Sequence, residues 1–134
     1  MTKGIVSCPG SCGELFQGLV GDQEVLLSYG IEKRSRVRLD GASSLARQAQ
    51  GEKVRRALEL LPESNVFSFV QKSDLPISKG YSSSTADMVS CLQAAAVGKK
   101  EHLTAADLTR LCAKIEPTDS VAFADWTVIE PLTG

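Results

Sequence analysis

Apolar residues recur along this chain with two periods, and the switches between them lay out its elements. Ile5-Val6 opens a short strand that runs into Cys8-Pro9-Gly10-Ser11-Cys12-Gly13-Glu14-Leu15-Phe16-Gln17-Gly18, where proline and repeated glycine predict a tight loop between short strands. Glu24 to Tyr29 and Glu32 to Leu39 read as strands, the second with Val37 and Leu39 on its inward face, so an antiparallel β layer is expected here. Gly41 to Ser44 reads as a turn. The period then lengthens: from Leu45 to Leu61, Val54, Ala57, Leu58 and Leu61 share one side with basic residues between them, and Pro62 follows as a stop, predicting an amphipathic helix.

Asn65 to Gln71 returns to alternation and predicts a strand that delivers the chain to Asp74-Leu75-Pro76. Met88, Val89, Leu92 and Ala96 then fall at helical spacing, predicting a helix over Ser83 to Val97 with Gly98-Lys99-Lys100 as its connector. Thr104 and Asp107 form a capping box for a further helix with Leu108, Leu111, Cys112 and Ile115 on one face. Pro117 should end that helix near Glu116. Together these elements predict an α+β domain in which helices pack against a β layer.

Composition narrows the class without singling one out. The 134 residues are 43% apolar and 23% charged, enough for one domain with a proper core. Fifteen basic residues against sixteen acidic ones leave a formal charge of −1, so no broad attraction to nucleic acid or to a membrane is expected. Cys8, Cys12, Cys91 and Cys112 contain no C-x-x-C pair, and His102 is the only histidine, which gives zinc little to bind. The opening Met1-Thr-Lys-Gly lacks the apolar stretch of a signal peptide and no apolar run is long enough to span a bilayer, so a cytoplasmic protein with reduced thiols is the expectation.

The chemistry concentrates in Pro76-Ile77-Ser78-Lys79-Gly80-Tyr81-Ser82-Ser83-Ser84-Thr85-Ala86-Asp87, just ahead of the Ser83 to Val97 helix. A strand, a glycine-containing loop and a helix start form the order that suits an anion, because the free N–H groups of a first helical turn and the positive end of its dipole converge there. Gly80 permits close backbone approach, Lys79 adds a charge, and the hydroxyls of Ser83 and Ser84 are candidates for a phosphate oxygen or a magnesium ion. The residues alone leave a second reading open, a Ser/Thr turn that only caps the helix. The order of lysine and glycine excludes a Walker A loop, and the three spaced glycines of a dinucleotide fingerprint are missing. Glu116-Pro117-Thr118-Asp119 places two carboxylates three positions apart around a turn, a cluster that by itself also suits solvated turn residues.

Pro76, Gly80, Tyr81, Ser82, Ser83, Ser84 and Thr85 occupy in order the positions of the second motif of the GHMP kinase superfamily, which this chain resembles. The Ser-Ser-Thr-Ala-Asp continuation and the Cys8-Pro9-Gly10-Ser11-Cys12-Gly13-Glu14-Leu15 segment are most similar to the branch that phosphorylates L-threonine in cobalamin synthesis and propanediol utilisation. The resemblance implies a GHMP N-terminal domain over residues 1–134, of the ribosomal protein S5 domain 2-like fold. It also implies ATP bound by Pro76, Lys79, Gly80, Tyr81, Ser82, Ser83, Ser84 and Thr85, and Mg2+ held by Ser84 and Glu116. Glu14, Gln17 and Asp119 would face the substrate, with Asp119 and Lys79 as the catalytic candidates, Asp119 as base or as orienting group. Cys12, with no histidine near it, is expected to be a small packing residue rather than a nucleophile.

The implied activity is phosphorylation of a hydroxyl amino acid, L-threonine to O-phospho-L-threonine, with homoserine as the alternative acceptor. The glycine-rich third motif that completes the family's cleft is absent from these residues, so a catalytically incompetent nucleotide-binding or assembly module is the alternative from another class. A front half alone is also expected to expose apolar surface, which leaves room for a homodimer.

Overall fold

The structure, a computed structural model, describes residues 5–40, 51–62, 68–125 and 127–134. Among these described residues, six strands and three helices follow one another as β1 (Ile5–Pro9), β2 (Glu14–Val20), β3 (Gln23–Ser28), β4 (Arg34–Asp40), α1 (Glu52–Glu59), β5 (Ser68–Ser73), α2 (Ser83–Gly98), α3 (Ala105–Ala113) and β6 (Val128–Ile129). They form two three-stranded antiparallel sheets, ordered β1-β4-β5 and β2-β3-β6. The expected α+β class, with helices on a β layer, is what the chain adopts.

The first sheet carries the core. Val37 of β4 is fully buried as its alternation predicts, while the side chain of Leu39 lies outside the described residues. Across the sheet, Val6 pairs with Val37 and Cys8 with Ser35, and α2 lies over β1, β4 and β5. The spacing of Met88, Val89, Leu92 and Ala96 suggests one buried stripe, but Cys91, Ala94 and Ala95 are buried too. Helix α2 is enclosed on most sides because α1 and α3 flank it above the sheet. Its small residues allow that close approach. Buried Ser90 is satisfied by donating to the carbonyls of Ala86 at 2.8 Å and Ser35 at 3.2 Å.

Helix α1 buries Val54, Ala57 and Leu58 and stops before Pro62, while residues 45–50 of the helix expected there fall outside the described set, as does the 41–44 turn. Strand β5 begins at Ser68, so residues 65–67 of the expected strand are likewise outside it. The capping box of α3 forms in both directions, Asp107 N–H to Thr104 Oγ1 and Thr104 N–H to Asp107 Oδ2, each at 3.1 Å. The hydroxyl of Thr104 and the amide bonds it receives hold the Asp107 carboxyl below its ordinary value.

One element corrects the sequence reading. Cys8 to Gly18 is not a single loop: the chain turns only over Gly10 to Gly13, and Glu14–Val20 is a strand paired in antiparallel register with β3. Every residue of β2 except Gly18 is exposed, so it shows none of the in-and-out alternation that marks a half-buried strand. β6, only two residues long, carries no periodicity either; it joins this sheet through Leu26 and Leu27 of β3.

Candidate functional site

The segment between β5 and α2 has an unusual backbone. Ser78, Gly80 and Ser82 take positive φ values of 58°, 78° and 55°. Left-handed residues alternating along a turn aim successive N–H groups toward one side, the geometry of an anion-binding nest. For the two serines this conformation costs roughly 1–2 kcal/mol each. Ser82 is the N-cap of α2, yet its side chain makes no capping hydrogen bond, and the first turn contains no acidic residue. Among the described residues Ser82 therefore does not serve as a side-chain cap, and no acidic side chain of the first turn offsets the positive end of the helix.

The turn after β1 braces this loop. Ser11 N–H donates to the Tyr81 carbonyl at 3.0 Å and Gly13 N–H to the Gly80 carbonyl at 3.2 Å. Glycine is required at position 10, where a Cβ would overlap Leu75 Cδ2 and the Tyr81 carbonyl oxygen. The two glycine-containing segments noted in the sequence are thus one structure, held together by backbone hydrogen bonds.

Asp119 sits beneath that junction, only 8% exposed. Ser28 Oγ–H and Ser120 N–H donate to its Oδ1, the latter at 2.7 Å. Ser82 Oγ–H donates to Oδ2, and Ser11 Oγ lies 3.3 Å from the same oxygen and 2.6 Å from Ser82 Oγ. Donors from β3, from the β1–β2 turn and from the head of α2 thereby satisfy a buried carboxylate, as such a group requires.

Glu116 stands on the other side of the helix start. Its Oε1 accepts from Ser84 Oγ–H at 2.6 Å, and its Oε2 pairs with the ammonium of Lys53 from α1. Two oxygens of the kind magnesium prefers, a hydroxyl and a carboxylate, are therefore already adjacent. Among the described residues no group of three or more His, Cys, Asp or Glu side chains converges to hold a metal.

Two cavities meet along Ser82 and Ser84. One, of about 430 Å³, is lined by Glu14, Gln17, Ser84, Glu116 and Asp119 among others. The second, of about 620 Å³, lies between α1 and the loop and includes Lys53, Val54, Tyr81, Ser83 and Asp87. Burial pushes the Asp87 carboxyl above its ordinary value, partly offset by a hydrogen bond with Ser35, and its Oδ1 has no hydrogen-bond partner among the described residues.

The structure thus gathers Glu14, Gln17, Ser82, Ser84, Thr85, Glu116 and Asp119 around one cavity. Gly80, Tyr81 and Ser83 line the other, while Lys79 and Pro76 are exposed on the loop. Cys12 is exposed at the tip of the β1–β2 turn rather than packed, its carbonyl accepting from Tyr29 Oη–H at 3.2 Å. Sequence reasoning missed Ser11, Ser28 and Ser120 around Asp119, and it did not single out Lys53 beside Glu116. The Ser11 contact had a signal, since it lies inside the first glycine segment; the others come from distant points of the chain.

Comparison with known proteins places these features. The profile of the family described as GHMP kinases N terminal domain matches residues 48–126. The L-threonine kinase of Salmonella typhimurium is 33% identical over 132 residues, covering 94% of this chain and 44% of that protein, and the L-threonine kinase of Citrobacter freundii is 36% identical over 132 residues, covering 94% and 46%. The chain thus spans less than half the length of these curated relatives. Among solved structures, a mevalonate kinase superposes with a TM-score of 0.68 at 16% identity over 94% of this chain and 53% of its own. Methanococcus jannaschii mevalonate kinase gives 0.67 at 14% identity over 98% and 54%. The profile match over more than half of the residues, on a fold shared with these structures, makes this chain a member of the family described as GHMP kinases N terminal domain.

Proposed function

We propose that this chain is the nucleotide-binding part of an ATP-dependent kinase that converts L-threonine to O-phospho-L-threonine in the cytoplasm. The observation that carries the reading is the convergence of Ser84, Glu116 and Asp119 on one cavity at the uncapped start of α2. The two L-threonine kinase relatives supply the choice of acceptor.

In this reading the N–H groups of Gly80 to Thr85 receive the phosphates of ATP, and the nest and helix dipole neutralise part of their charge. Lys79, exposed on the loop, swings toward the same anion. Ser84 and Glu116, a hydroxyl and a carboxylate already adjacent, would hold Mg2+, which would neutralise phosphate charge there. ATP with Mg2+ supplies the transferable γ-phosphoryl group and much of the charge neutralisation. Asp119, fixed by hydroxyl and amide donors, meets the acceptor hydroxyl, while Glu14 and Gln17 contact the rest of the amino acid. Phosphoryl transfer rests mainly on positioning and charge stabilisation, which is what these groups provide. The test is ADP release by the full-length protein with threonine, homoserine, serine and mevalonate in turn. Fastest turnover with threonine is expected. Preference for homoserine would reassign the substrate, and no turnover with any acceptor would favour a non-catalytic nucleotide-binding module.

A further inference from the structure

Resting on the kinase reading, we propose that Ser82 is a positioning residue that ties the phosphate loop to Asp119. Ser82 occupies the left-handed region at φ 55° and ψ 35°, where glycine is the unstrained choice, and a serine there needs a compensating reason. Capping α2 is not that reason, because the side chain makes no capping bond. Instead its hydroxyl donates to Asp119 Oδ2 and lies 2.6 Å from Ser11 Oγ.

The contact joins two things a kinase must keep in register. The backbone of Ser82 belongs to the loop that lines both cavities, and its side chain holds the carboxylate of Asp119, which lines the 430 Å³ cavity beside Glu14 and Gln17. Asp119 Oδ1 is fixed separately by Ser28 and Ser120, so Oδ2 is the oxygen whose direction depends on Ser82 and, at the longer 3.3 Å, on Ser11. Deleting the hydroxyl leaves Oδ2 with its weaker donor. The carboxylate then rotates about Oδ1, and acceptor and phosphate lose their alignment.

Substitution by glycine separates this role from a purely structural one. In the full-length protein, Ser82→Gly relieves the backbone and should fold at least as stably as wild type, by thermal unfolding. Its kcat should nonetheless fall about tenfold or more, as expected for a displaced reacting group, with the KM for ATP little changed. Ser82→Ala should lose kcat similarly. A Ser82→Gly enzyme with wild-type kcat, or one whose loss lies in the KM for ATP, overturns the proposal. A crystal structure of Ser82→Gly supplies a readout independent of activity: Asp119 should turn from its Ser82-facing rotamer, and an unmoved carboxylate overturns the proposal. A wild-type protein inactive toward every acceptor would instead count against the kinase reading, with the crystallographic result still deciding the role of Ser82.

Discussion

Ser84 Oγ lies 2.6 Å from Glu116 Oε1, joining the first turn of α2 to the segment that follows α3. The contact spans thirty-two positions of sequence and sets a hydroxyl and a carboxylate side by side where the helix start would meet a nucleotide's phosphates. Lys53 pairs with the second carboxylate oxygen, so Glu116 is engaged at both of its oxygens.

Ser84→Ala and Glu116→Gln should therefore lower magnesium-dependent turnover far more than folding stability. Losing one group that stabilises transition-state charge costs about 2–4 kcal/mol, roughly thirtyfold to a thousandfold in kcat. Stability should change little, because Ser84 is only half-buried and the Lys53 end of the pair is 53% exposed, a setting in which ion pairs contribute about 0–1 kcal/mol. Steady-state kinetics beside thermal unfolding checks both halves, and turnover within twofold of wild type would remove these residues from the metal site.

Gly10→Ala should damage fold and site together. The added methyl meets the Leu75 side chain and the Tyr81 carbonyl, and that carbonyl also accepts the Ser11 amide. Overpacking of this kind costs about 1–3 kcal/mol, and the shift is passed directly to the phosphate loop. Denaturant unfolding and the KM for ATP are the measurements; unchanged values in both would mean that the two segments move independently.

Asp87 gives the molecule a pH signature. Burial raises its folded-state pKa above the ordinary 3.8, so the folded protein holds this proton more tightly than the unfolded chain does. Its contribution to stability is thus most favourable below that value and declines as pH rises through the folded-state pKa. Asp87→Asn should flatten this part of the stability curve and stabilise the protein at neutral pH. Thermal unfolding from pH 3.5 to 7 tests it, and an Asn variant less stable than wild type at pH 7 would contradict the assignment.

Residues 1–134 produced alone should fold, associate with themselves and show negligible kinase activity. Leu15, Phe16, Leu19 and Val20 of β2 are all about half or more exposed, at 48%, 47%, 69% and 61%, an apolar stripe suited to burial against another surface. Sedimentation velocity across a concentration range reads the association. A strictly monomeric, catalytically competent product would refute the expectation.

How much of this was legible in the sequence depended on the range of the interactions involved. The capping box at Thr104, the inward Val37 and the helix start at Ser83 are local patterns, and each appears where it was expected. Glu116 and Asp119 were singled out only through family resemblance, since two carboxylates near a proline are ordinary turn residues. What could not be read was long-range: Ser28 reaching Asp119 across ninety-one positions, or Lys53 reaching Glu116 across sixty-three. Strand β2 was missed for another reason, because a strand exposed on both faces writes no alternation into its residues.

The central claim, phosphoryl transfer from ATP to the threonine hydroxyl at the cavity shared by Ser84, Glu116 and Asp119, is tested most directly by following product in a phosphorus NMR time course. The full-length protein with ATP, Mg2+ and L-threonine should form O-phospho-L-threonine and ADP in equal amounts, and Glu116→Gln should suppress both signals. A wild-type reaction that yields no O-phospho-L-threonine, or a Glu116→Gln reaction that runs at the wild-type rate, would contradict it.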